Sequence, residues 1–235
     1  GLLAKSLFPK PQQKLVASIR RFVSPAVDTE LMFTSTDDTI VAAAPEHPRM
    51  GFTDKEQADR IAGLLRNIGL TYGFAELVLV SAHGSISQNN PHLAAYDCGA
   101  SSGRHGGPNA RLVAAMVNRP EIRKLLAERG ISIPDDTWFI GTEHNTCNED
   151  IIWYDLDNIP ADRLSALKKI QQELRRAQHM SAHERSRRLA SAPRNPTPEQ
   201  ALKHIQERAT DFSQPRPELG HATVAWAAVG RRSFT

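Results

Sequence analysis

Two side chains within one stretch of this sequence could share a metal ion. His83 follows the apolar run Leu77 to Val80, and Cys98 comes later in a polar, glycine-rich loop, with 14 residues between them. Imidazole and thiolate together suit zinc. A histidine at the end of a strand is held rigidly, and a cysteine among glycines can come close to an ion. Two donors do not fill a tetrahedral site, however, and this separation matches no standard zinc motif. His92, Asp97, His105, Glu143, His144 and Cys147 are further donors nearby in the chain, none at a diagnostic spacing.

The loop continues through Gly99 and Gly103 to Gly106-Gly107, just before a helix expected at Pro108. Backbone N–H groups at such a helix start attract anions. Gly106, Gly107 and Arg111, with Arg104, are therefore candidates for holding phosphate or bicarbonate. No Lys-Ser/Thr follows the glycines, so this is not a P-loop. The glycines equally suit a tight turn with no ligand. Ser81 and Ser85 flank His83, but there is no G-x-S-x-G elbow for a hydrolase. The polar wall Ser85, Ser87, Gln88, Asn89 and Asn90 is of a kind that commonly caps itself.

The elements that must position these residues follow from pattern. Pro11 to Val23 has helical spacing that Pro25 stops, and Asp28 to Met50 is irregular apart from the short apolar piece Leu31 to Phe33. Thr53-Asp-Lys-Glu56 is a capping box opening a helix to about Asn67, closed by Gly69. Its apolar face is Ala58, Ile61, Ala62, Leu64, Leu65 and Ile68. A buried strand spans Leu77 to Ala82. Helices from Pro108 and Pro120 follow, the second closed by Gly130, and Trp138 to Thr142 reads as a second strand. Strand, crossover helices, strand predicts a parallel pair, with the loops after His83 and Thr142 opening on one edge of the sheet. That edge is where α/β proteins place their chemistry.

Pro160 to Leu189 reads as a basic helix with the stripe Leu164, Leu167, Ile170 and Leu174. Arg175, Arg176, Arg185, Arg187 and Arg188 lie on or beyond its other face. Thr197-Pro-Glu-Gln200 is a second capping box, and Thr223 to Val229 has the pattern of a last strand. The division expected is a lead-in over 1–50, an α/β core over 51–155 and a basic helical segment with a terminal strand over 156–235, all within one larger domain.

Composition sets the bounds. The chain has 235 residues, 40% hydrophobic and 23% charged, with a formal net charge of +3. That is an ordinary globular balance and no nucleic-acid signature. No apolar run reaches the roughly 18 residues of a spanning helix. Two cysteines are too few for a disulfide framework and point to a reducing compartment. The start at Gly1 without Met suggests a piece of a longer protein.

Taken together, His83-Gly-Ser, Gln88-Asn-Asn-Pro91, Asp97-Cys98-Gly-Ala and Gly106-Gly-Pro-Asn-Ala-Arg111 resemble the DabA family of probable inorganic carbon transporter subunits. GFTDKEQADRIAGLLRNIGLT upstream and IPDDTWFIGTEHNT downstream share that likeness. The resemblance is strong over Gly51 to Asn148 and weaker beyond. It implies a parallel-sheet core like that of β-carbonic anhydrases, and one zinc held by Cys, Asp, His and Cys, of which His83 and Cys98 are the last two. The first two belong to a Cys-x-Asp motif, which this sequence lacks; the expectation is that it lies upstream of Gly1. Ser101 stands where many relatives carry a second Cys.

The resemblance further implies hydration of CO2 to bicarbonate by zinc-bound hydroxide, within a transporter complex rather than by a stand-alone enzyme. The partner implied is a DabB-like membrane subunit. The place implied is the cytoplasmic side of the cell inner membrane, peripherally, with no nucleic-acid partner. Two readings from other classes stand beside it. One is a non-metal anion- or nucleotide-binding α/β module built on the Gly99–Gly107 loop. The other is an interaction domain built on the basic helix.

Overall fold

The computed structural model describes residue 31 and residues 51–86, 105–211, 213, 214 and 217. The helix expected over Pro11 to Val23, the strand over Thr223 to Val229, and His92, Asp97, Cys98, Gly99, Gly103 and Arg104 lie outside the described residues.

Helix α1, Asp54–Asn67, begins where the sequence places its cap. Thr53 Oγ1 accepts from the Glu56 N–H at 3.2 Å, and Glu56 Oε2 accepts from the Thr53 N–H at 2.9 Å. Gly69 ends it with a φ of +75°, a conformation that favours glycine. Strand β1, Leu77–Gly84, then leads toward the candidate site. Helices α2, Gly107–Asn118, and α3, Pro120–Glu128, form the crossover to strand β2, Trp138–Asn145.

β1 and β2 pair in parallel from Leu77 opposite Trp138 to Gly84 opposite Asn145, as a βαβ unit requires. Both strands run further than expected, so His83, Glu143 and His144 sit on strands rather than in loops. A third strand, β3, Ile151–Trp153, pairs antiparallel with Thr142–His144. Three residues are too few to show a period in sequence. The described sheet is therefore mixed, in the order β1-β2-β3, rather than wholly parallel.

The sheet has a packed layer on each face. Ala58, Ile61 and Leu65 of α1 meet Ala114 and Val117 of α2, Ile122 and Leu126 of α3, and Phe139 of β2. Each such large side chain, fully buried, contributes about 1.5–3 kcal/mol. Leu64 and Ile68, which the helical pattern assigns to this face, instead stand 37% and 55% exposed. On the other face Leu77, Ile140 and Ile159 pack against Leu167 of helix α4, Leu164–Ser186, with Leu79, Trp138 and Ile170 beside them. Helix α5, Pro198–Ala209, lies against α4 and opens with the second capping box.

Among the described residues, β3 leaves the first half of β2 without a strand neighbour on that edge. Asn118, the last residue of α2, fills the gap: its amide donates to the Phe139 carbonyl at 2.8 Å and accepts from the Phe139 N–H at 2.9 Å. Higher up, α2 crosses so closely that a Cβ on Gly141 would come within 2.7 Å of the Arg111 Cα. Gly141 thus lets the helix start directly over the strand end.

Candidate functional site

The carboxyl ends of β1 and β2 carry His83, Gly84, Glu143, His144 and Asn145 side by side. The pleat divides them. Odd-numbered residues of β2 (Phe139, Gly141, Glu143) face α2, and even-numbered ones (Trp138, Ile140, His144) face α4. In β1 the parity is reversed: Val78 and Val80 face α2, while Leu77 and Leu79 face α4. His83, in register with His144, therefore shares the α4 face with it. Ala82 and Gly84 share the α2 face with Glu143.

On the α2 face the glycine turn has closed on the sheet. The Gly106 N–H donates to the His83 carbonyl at 2.8 Å. A Cβ on Gly106 would sit 3.1 Å from the Ala82 Cβ, so the turn needs glycine for approach rather than for angle. Glu143, 2% exposed, lies at the start of α2. Its Oε2 accepts from the Gly107 N–H at 3.0 Å and from the Tyr154 hydroxyl at 3.4 Å. Its Oε1 meets His105 Nδ1 at 2.6 Å. A carboxylate only accepts, so Nδ1 is the donor in this contact. Burial, then the Glu143 charge and hydrogen bond, push the Tyr154 phenol above its usual range, against a smaller opposing pull from Arg111.

This places the three anion-binding candidates. Gly106 and Gly107 do form the start of a helix, and the carboxylate that meets the Gly107 N–H belongs to the protein's own Glu143. Arg111 grips Asp155 with two hydrogen bonds, Nε to Oδ2 at 2.7 Å and Nη2 to Oδ1 at 2.6 Å. Asp155 holds a left-handed φ of 53° to present both oxygens. A cavity of about 830 Å³ opens beside this pair, lined also by Asn118, Trp138 and Tyr154.

On the α4 face the centre is Glu149, which sequence spacing did not single out. It is 3% exposed and left-handed at φ 69°. Its carboxylate takes His144 Nε2 at 2.7 Å, the Ser181 hydroxyl at 2.6 Å and Arg185 Nη2 at 2.7 Å, the last an ion pair not aligned as a hydrogen bond. Burial alone would raise its pKa. The His144 bond, the Arg185 charge and the Ser181 bond outweigh that and hold it below the usual carboxylate range. Arg185, expected on the outer face of the basic helix, turns inward and also donates to the Thr146 carbonyl at 2.8 Å. The signals available in sequence were Asn148-Glu149-Asp150 directly after a strand and an arginine among small residues, Ser181, Ala182 and Ser186.

His83 itself is half-buried at the end of β1. Among the described residues no three His, Cys, Asp or Glu side chains are placed to hold one metal ion. Cys147 is fully buried, its N–H bonded to Asn145 Oδ1 at 3.1 Å.

The whole chain, residues 1–235, matches the family described as probable inorganic carbon transporter subunit DabA. A protein of that name from Nitrosococcus oceani is 60% identical over 234 residues, covering 100% of this chain and 21% of that protein. Others from Methylococcus capsulatus and Dechloromonas aromatica are 55% and 53% identical over 235 residues, with 22% and 23% of their lengths covered. The chain thus spans about a fifth of the length of the curated relatives it matches. No solved structure matches it.

Proposed function

Because this chain belongs to the DabA family, we propose that it is the part of a larger inorganic carbon uptake subunit that supplies two ligands, His83 and Cys98, to a zinc ion used to hydrate CO2. The observation that carries the reading is the position of His83. It ends a strand paired in parallel with β2, half-buried, at the sheet edge from which the loop toward Cys98 departs.

The donor chemistry fits the metal, since imidazole and thiolate are both common zinc ligands. Two donors leave a tetrahedral site half-filled, and a Cys-x-Asp motif elsewhere in the longer protein completes it in this reading. Zinc, when bound, supplies the Lewis acidity that makes water a nucleophile at neutral pH. The chain's own contribution is rigidity. The His83 carbonyl is tied to the Gly106 N–H at 2.8 Å, and the next residue's carbonyl accepts from the Thr146 N–H at 2.9 Å, so the strand end is fixed on both sides of the imidazole. The product is bicarbonate and a proton.

The reading extends to a β-carbonic-anhydrase-like core, supported by the parallel β1–β2 pair and its helical crossover. It also extends to a membrane partner on the cytoplasmic side of the inner membrane that couples hydration to an ion gradient and makes it one-way. No helix among the described residues is long and apolar enough to cross a membrane. Metal analysis of the full-length protein tests the proposal. One zinc per subunit is expected, lost in His83→Ala and in Cys98→Ala. Full-length protein without zinc, or with zinc untouched by both substitutions, would overturn it.

A further inference from the structure

Helix α4 presents an outer stripe that the carbon-uptake reading does not use. Lys168, Lys169, Arg175 and Arg176 are all exposed. They form two adjacent pairs seven residues apart, which on a helix places them on one side at a repeat of about 10 Å. Gln172, His179 and His183 fall on the same side by helical spacing.

Several arginines elsewhere in the protein are neutralised. Arg111, Arg119, Arg129 and Arg163 each meet a carboxylate. On α4 the ion pairs are Arg185 with Glu149 and, between exposed groups, Arg187 with Glu184. The four stripe cations have no carboxylate partner among the described residues. The nearest acids on the helix, Glu173 and Glu184, lie along one flank. Glu199 of α5 is close enough to sense His179.

The helix cannot roll to hide this face. Leu167 is buried against the sheet, and Glu149 fastens the inner side through Ser181 and Arg185; Ala182 and Ser186, on the stripe's own side by helical spacing, are buried toward the end of the helix, so the stripe is open over its first half. The four cations lie within about 12 Å along the helix axis, from Lys168 to Arg176, with their charge outward.

We infer that this stripe docks the protein on an anionic phospholipid surface. Charges spread along a rod match a diffuse field of head groups better than one discrete anion. Met180, 54% exposed and one turn beyond Arg176, adds an apolar side chain that the head-group region accepts. Helix α4 carries no Phe, Tyr or Trp on which a nucleic-acid base could stack. Each Lys or Arg near an anionic membrane strengthens binding roughly fivefold, so four give on the order of 600-fold over a neutral bilayer.

The test is flotation of the purified full-length protein with vesicles of phosphatidylcholine alone or with added phosphatidylglycerol. Selective binding to the anionic vesicles, abolished in high salt, is expected. Lys168→Gln with Lys169→Gln, and separately Arg175→Gln with Arg176→Gln, should each weaken it about 25-fold. Lys55→Gln with Lys203→Gln removes the same charge from other exposed sites and should leave it intact. Circular dichroism and zinc content, measured on the same samples, separate misfolding or failure of the metal proposal from failure of this one. Equal binding to both vesicle types, no binding to either, full binding by both α4 variants, or stronger capture by polyglutamate or nucleic acid than by anionic vesicles would each overturn the inference.

Discussion

Removing the Glu149 carboxylate should unfasten α4 from the end of β2. The side chain is 4% exposed and its partner Arg185 11% exposed, so the pair is largely out of water. In Glu149→Ala the guanidinium stays buried with its charge uncompensated. Its Nε already lacks a hydrogen-bond partner among the described residues. Breaking one side of a buried pair costs about 3–5 kcal/mol. The cost should fall in Arg185→Met, whose chain fills the space without a charge, and the double variant should be more stable than the two single losses added together predict.

The pH dependence has a definite sign. The Glu149 carboxyl is held below its ordinary value, so the unfolded state binds its proton first as the solution is acidified. Its contribution is complete above the unfolded value and is lost as pH falls through the folded one. Urea denaturation followed by circular dichroism from neutral to acid pH measures both effects. Glu149→Gln should be less stable at neutral pH and show a flatter acid limb. A loss below about 1 kcal/mol in Glu149→Ala, or an acid limb unchanged in Glu149→Gln, would refute the clasp.

Gly141→Ala places a methyl within 2.7 Å of the Arg111 Cα and 2.8 Å of its nitrogen, both backbone atoms that cannot rotate away. A loss of about 1–3 kcal/mol or more in urea unfolding is expected, since α2 must lift from the strand. Tyr154 should titrate above the ordinary phenol range by ultraviolet absorbance, because of burial and the Glu143 carboxylate. Glu143→Gln should bring that titration down; an unchanged midpoint would place the charge effect elsewhere.

Much of the fold was legible because it rests on local chemistry. Both capping boxes, at Thr53 and Thr197, are as the spacing predicts, and the apolar runs at Leu77 and Trp138 are parallel strands joined by helices. β3 was not legible, because a three-residue strand leaves no period. Leu64 and Ile68 fit the helical stripe of α1 yet stay exposed, because α2 and α3 cover a narrower arc than the sequence offers.

The site was legible in part. His83 was placed at a strand end by the run before it. The pleat, which sets His83 with His144 and Gly84 with Glu143 on opposite faces, depends on where each strand begins, and sequence fixes such ends poorly. Glu149 and Arg185 were missed because their meeting joins a loop to a helix 36 residues further on, a separation that carries no local pattern.

The central claim is that His83 and Cys98 bind one zinc. X-ray absorption at the zinc edge of the full-length protein reads those ligands directly. The account predicts an imidazole nitrogen at about 2.0–2.1 Å that vanishes in His83→Ala, and a sulfur at about 2.3 Å whose signal shrinks in Cys98→Ser. A zinc whose coordination shell is the same in wild type and in both variants would contradict it.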